Sequence, residues 1–416
     1  MRRRSLWLLG AALAAGALLY AGYRQAGSAP PAPVRYQPLR ALLHVHTTYS
    51  DGDLTPAQVA AQAAGRFDVV LFADHSDLEW EYHLAVFSAR ASRPSLKTAG
   101  METYLADLRG AAAAHPDLVV LPGMEASPYY YWRGIPFSPD FALCNAHKHI
   151  VVAGLERPSD FAGLPLLAYG TCRYSAYQDA GLAPYQDFLD AVDSRGGLTF
   201  WAHAGARFSE DTDQVKVVTP AHGEDLVRTR RYTGFSANDE SRGLALAGGP
   251  WDQALQQYCR GERDRPAWVV IDSDFHSGRF PWSPVTVLLA AERSPQGALE
   301  AMRQGRMYTC SVSTYVLELG SFSVTNPATG EQARMGETLR SVGPAWVEAK
   351  VAGALSGGFI RLIRDGEVLR TFPGNEVSYR DRLRPGTHYY RLQVIKPARG
   401  EIFSNPIFVR VTAAKR

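Results

Sequence analysis

LLHVHTTYSDG, residues 42–52, sets His44 and His46 one residue apart at the end of an apolar run and follows them with an Asp51-Gly52 turn. Alternation along a strand puts residues i and i+2 on one side, so both imidazoles can face one object. A metal ion is the natural object: imidazole is the commonest nitrogen ligand, and Asp51 adds a hard oxygen. The same ending recurs down the chain. DVVLFADHSD (68–77) ends in Asp74 and His75, DLVVLPGMEAS (117–127) in Glu125, GGLTFWAHAG (196–205) in His203, and AWVVIDSDFHSG (267–278) in Asp274 and His276. Short continuous apolar runs are the mark of strands buried on both faces, as in a parallel sheet. Helical patterns lie between them at 55–66, 101–115, 185–197 and 251–261. Strand alternating with helix predicts an α/β fold whose strand ends meet at one mouth, as in a β/α barrel. His149 in NAHKHIVVAG (145–154) precedes its apolar run instead of ending it, and His147 competes for the same role.

The 416 residues carry a net charge of only +3, which removes the electrostatic case for a nucleic-acid partner. Residues 1–33 read as an export segment: Arg2, Arg3 and Arg4, an apolar run from Leu6 to about Gly22, then an Ala/Pro linker. A cleaved signal peptide and an uncleaved anchor both fit, the run being just long enough to span a bilayer. Either places the rest of the chain outside the cytoplasm, in the periplasm or held at the inner membrane. Cys144, Cys172, Cys259 and Cys310 show no paired spacing, so they form no zinc-finger pattern.

Taken in order, HVHTTYSDG, ADHS, PGME, HKHIVV, WAHAG and DSDFH resemble the motif series of the PHP (polymerase and histidinol phosphatase) superfamily over roughly residues 40–320. TGF (233–235), GGPWDQAL (248–255) and the β-rich tail look like its exported branch, related to carbaryl-type carbamate hydrolases. The resemblance implies a distorted seven-stranded β/α barrel with two or three divalent ions. It implies one ion on His44, His46, Glu125 and Asp274, and a second on Glu125, His149 and His203 with Glu125 bridging. A third would sit on Asp51, His75 and His276; some members carry His where this chain has Asp51. Six histidines with three carboxylates suit Zn, Mn or Fe better than Mg or Ca. A shared carboxylate can hold two ions about 3.5–4 Å apart, the spacing of two-metal hydrolases that attack with metal-bound hydroxide. Asp74 is assigned the role of a carboxylate that orients a ligand.

For the substrate, SPYYYWRGIPF (127–137) follows Glu125, so Tyr129, Tyr130, Tyr131 and Trp132 either wall the mouth or pack the loop onto its neighbours. Arg207, Arg279 and Lys148 are candidates to meet an anionic substrate or transition state. From Leu317 the pattern turns to alternation, with Asp365-Gly366 as a hairpin signal. This predicts a barrel at 34–316 and an immunoglobulin-like β-sandwich at 317–416. The expected activity is metal-dependent hydrolysis of a small-molecule phosphoester. A carbamate or amide ester is the alternative substrate. A non-catalytic binding protein on the same scaffold would require missing ligands, and no ligand is missing.

Overall fold

The computed structural model describes residues 35–412 apart from 85–86, 212–214, 279–283, 313–316, 354, 356 and 398–399. Residues 1–33, expected to be an export segment, therefore lie outside the described residues. Among the described residues no helix is long and apolar enough to cross a membrane. Residues 37–416 form one compact unit.

Seven short strands surround the core: β1 (Gln37–Val45), β2 (Val69–Phe72), β3 (Gly123–Ala126), β4 (Ile150–Ala153), β5 (Leu198–Trp201), β6 (Gly234–Ser236) and β7 (Trp268–Val270). β2 through β7 are buried at every residue that belongs to them, as apolar runs covered on both faces must be. Helices Pro56–Ala63, Met101–Ala114, Ala183–Ser194 and Pro250–Cys259 lie between strands, and the first is closed by a Thr55–Gln58 capping box.

The expected closed barrel is not formed by the described ladders. β1 and β2 pair in parallel in one sheet, while β3 to β7 form a second, five-stranded sheet. Among the described residues the two share no ladder, only the single bridges His75 to Glu125 and Val45 to Phe275. Within the second sheet β5, β6 and β7 are parallel, but β4 is antiparallel to both β3 and β5. A reversed strand begins where its neighbours end. That is why His149, ahead of β4, reaches the same rim as residues that follow the other strands.

The tail from Glu318 is all β. Strands 332–334, 318–325, 344–352 and 376–382 make one antiparallel sheet, whose Pro344–Ala352 strand alternates buried and open residues. Asp365 and Gly366 join Phe359–Arg364 to Glu367–Pro373 with φ of 53° and 90°, the conformation a tight hairpin turn requires. The tail is not set apart from the rest. Gly400–Phe403 pairs with Met307–Val312, which pairs with Val285–Ala290, which pairs with β1, giving one continuous 11-stranded sheet.

Candidate metal centre

Short backbone zips assemble the rim. His46 N–H donates to Phe275 C=O (2.9 Å) and Phe275 N–H to His44 C=O (3.1 Å), aligning 44–46 with 274–276. On the other side Glu125 N–H donates to Asp74 C=O (3.0 Å) and Ser76 N–H to Glu125 C=O (2.7 Å), aligning Glu125 with His75. Simple alternation does not account for the His44–His46 pair. His44 has φ of 66°, and the β1–β2 register shifts between Leu42 and Val45, so the strand is kinked at the first histidine. His203 and Asp274 are also left-handed, with φ of 31° and 45°. Non-glycine residues rarely adopt this backbone, and such strain gathers at functional sites. Gly52 makes the loop fit: a Cβ there would stand 2.5 Å from the carbonyl carbon and oxygen of His46.

Glu125, 1% exposed, is the hub. Its Oε1 lies 3.1 Å from nitrogens of His44, His149 and His203. Its Oε2 lies 3.1 Å from His75 Nδ1 and 3.4 Å from His46 Nε2. Asp274 Oδ1 stands 3.3 Å from Nε2 of both His44 and His46. Asp51 faces His276 Nε2 (3.3 Å), His46 Nδ1 (3.5 Å) and His75 Nε2 (3.5 Å). Three groups bring ligand atoms within 4.8 Å of one another: His44–His46–Glu125–Asp274, His46–Asp51–His75–His276, and His75–Glu125–His149. His203 joins the last through Glu125 and through His149, whose Nδ1 is 3.3 Å from its Nε2. His46 and His75 each belong to two groups, so the division into three separate sets is coarser than the arrangement found.

Burial disfavours charge here, yet opposite charges prevail. Burial pushes the Glu125 carboxyl up, but His149, His44 and His75 hold it well below the usual range. Burial lowers His46, but Asp274 and Glu125 raise it to about 9; His44 is likewise raised, chiefly by Glu125 and Asp274. Burial takes His75 down to about 4, which keeps a lone pair available. Asp274 Oδ1 is buried without a hydrogen-bond partner among the described residues. An ionised carboxylate hub, an imidazole held neutral at His75 and a buried carboxylate oxygen without a hydrogen bond of its own fit divalent cations.

Asp272 is the carboxylate beside His44 that sequence alone does not single out. Its Oδ2 is 3.1 Å from His44 Nδ1, leaving His44 Nε2 turned to Glu125 and Asp274. The signal was present in DSDFH, but nothing there ranks Asp272 against Asp274. Asp74 acts one step further back. It accepts from Thr47 N–H (2.7 Å), Thr47 Oγ1 (2.9 Å) and Ser50 Oγ (2.7 Å), and so shapes the loop that carries His46 and Asp51.

The substrate candidates part company. Tyr129 donates its hydroxyl to Ser175 C=O (2.8 Å), and Trp132 donates Nε1–H to Glu81 C=O (2.8 Å). Tyr130 packs with Tyr82, Trp132 and Leu143. These rings are all buried and hold the loop to its neighbours. Tyr131 is half-buried, opposite Cys144 in a short hairpin. Lys148 is engaged within the fold: its ammonium is 2.5 Å from Asp225 and 4.3 Å from the centre of the Tyr185 ring. His147 is outside the groups, stacked on Phe208 at 4.6 Å. Arg207 is exposed just before the strand Phe208–Asp211, and Arg279 lies outside the described residues.

No family model and no curated protein matches the chain. Among solved structures, it is similar to a two-domain protein containing predicted PHP-like metal-dependent phosphoesterase, from Bacteroides vulgatus ATCC 8482. The likeness covers 91% of this chain and 100% of that one, at 13% identity and a TM-score of 0.39.

Proposed function

We propose that the protein is an exported PHP-type hydrolase that uses two or three divalent ions to cleave small-molecule phosphoesters. The observation that carries the reading is Glu125, whose two oxygens meet five imidazoles while Asp274 and Asp51 cap the groups on either side. Bound there, divalent ions would bring a water's pKa towards neutrality and draw charge from the attacked centre. The chain's own part is to keep Glu125 anionic in a buried site, to hold His44 through Asp272, and to fix the loop of His46 and Asp51 through Asp74. Export rests on the leader sequence, and residues 317–416 are proposed as a β-sandwich domain serving the α/β part that carries the site.

Elemental analysis of the leaderless protein, together with nitrophenol release from phosphate, phosphodiester and carbamate esters, tests the reading. Two or three equivalents of metal with phosphoester turnover support it. Metal with carbamate turnover alone moves the substrate class. Less than one equivalent after loading with Zn²⁺ or Mn²⁺ overturns it.

A further inference from the structure

β7 pairs with β6 on one side, and no described ladder covers its other edge. Side chains take the place of the missing strand. Val269 N–H donates to Asn405 Oδ1 (2.9 Å), and Asn405 Nδ2 donates back to Val269 C=O (2.9 Å). Two residues on, Ile271 N–H donates to Thr286 Oγ1 (2.9 Å), and the Thr286 hydroxyl donates to Ile271 C=O (2.8 Å). Main chain then takes over: Ser273 N–H bonds Leu43 C=O (3.0 Å), and Phe275 N–H bonds His44 C=O (3.1 Å). Residues 269, 271 and 273 are stitched in turn along one edge, and Phe275 continues the series beyond the kink at Asp274. Asn405 comes from the tail and Thr286 from the strand beside β1; both are fully buried. Asn405 Nδ2 also reaches Met307 C=O (3.0 Å), so it ties β7 to the continuous sheet.

The stitched segment runs straight into Asp272, Asp274 and His276. Asp274 must enter the centre through a left-handed kink, which makes the approach of the preceding residues decisive. We infer that Thr286 and Asn405 are positioning residues for the metal centre, setting the line along which Asp272, Asp274 and His276 reach it. The inference rests on the metal reading above.

Thr286→Val keeps the side chain's shape and removes both bonds to Ile271, whereas Thr286→Ser keeps the hydroxyl. Asn405→Asp keeps the acceptor for Val269 N–H and removes the donor. Each variant is titrated with Mn²⁺, with bound metal counted by elemental analysis and melting followed in parallel. The expected result is that Thr286→Val binds part of its Mn²⁺ roughly tenfold or more weakly, the effect typical of lost outer partners of a metal site. The portion retained is that of the His75–Glu125–His149 group, which takes nothing from this segment. Thr286→Ser should match the wild type. Equal Mn²⁺ stoichiometry and affinity in folded Thr286→Val overturns the inference. So does loss of all Mn²⁺ in step with melting in both Thr286 variants, since that marks general destabilisation. If Thr286→Val does not fold, Asn405→Asp decides by the same criteria. A wild type that takes up no Mn²⁺ overturns the metal reading as well, a result distinct from the others.

Discussion

The centre is governed by which carboxylates are shared. Glu125→Gln keeps the shape of the hub but removes its charge, so bound metal should fall well below the wild-type equivalents and turnover should disappear. Elemental analysis and ester hydrolysis read this directly, and unchanged metal content would refute the hub role. Asp272→Asn should be milder: His44 loses a charged partner, and affinity falls about 10–100-fold. Most of the ligand candidates were legible because they close an apolar run with a residue that such a run has no reason to bury alone; His149, ahead of its run, is the exception. Asp272 was not, because its distinction from Asp274 depends on a left-handed turn two residues later. Nor could sequence show that Tyr129, Trp132 and Lys148 point to partners within the fold. Their types suit a binding wall and a buried contact equally well.

At the level of strands and loops, alternation of strand and helix was readable, and its helices fall where the periodicity put them. The reversal of β4 was not readable, since an apolar run carries no sign of direction; only the placing of His149 before its run hinted at it. The failure of the ladders to close is likewise a matter of single backbone bonds. The loop after β1 offers a sharp test. In Gly52→Ala the new methyl meets main chain, which cannot rotate away, so the 46–52 loop must shift. Melting should drop and metal content should fall with it, whereas an unchanged protein would show the loop to be slack.

For the whole molecule, the junction of the tail with the α/β part includes a buried polar cluster. Arg391 bonds both oxygens of Asp252 (2.8 and 2.6 Å), Tyr389 adds a third bond (2.8 Å), and the ion pair is fully covered. Asp252→Ala leaves a buried guanidinium without its counter-charge and should cost roughly 3–5 kcal/mol in chemical denaturation. A slighter dependence comes from His388, whose pKa is raised chiefly by the hydrogen bond to Asp365 at 2.7 Å. A raised folded value means the stabilisation is complete below the unfolded value of about 6.5 and is lost as pH climbs through the folded one. His388→Gln should therefore lose stability relative to wild type below that window and little above it. Parallel urea midpoints across pH would contradict the assignment. Metal bound only by the folded chain should also make melting sensitive to chelators.

The reversal of β4 has a consequence for how such a scaffold can diversify. The chain leaves the rim at Glu125 and comes back to the rim at His149, so the whole excursion between them begins and ends at the same face. Antiparallel neighbours need no helix to carry the chain across the sheet. Lengthening or trimming the turn between Tyr131–Arg133 and Ala142–Cys144 would change this excursion while leaving β3 and β4 in register, making it a natural place for such a scaffold to vary.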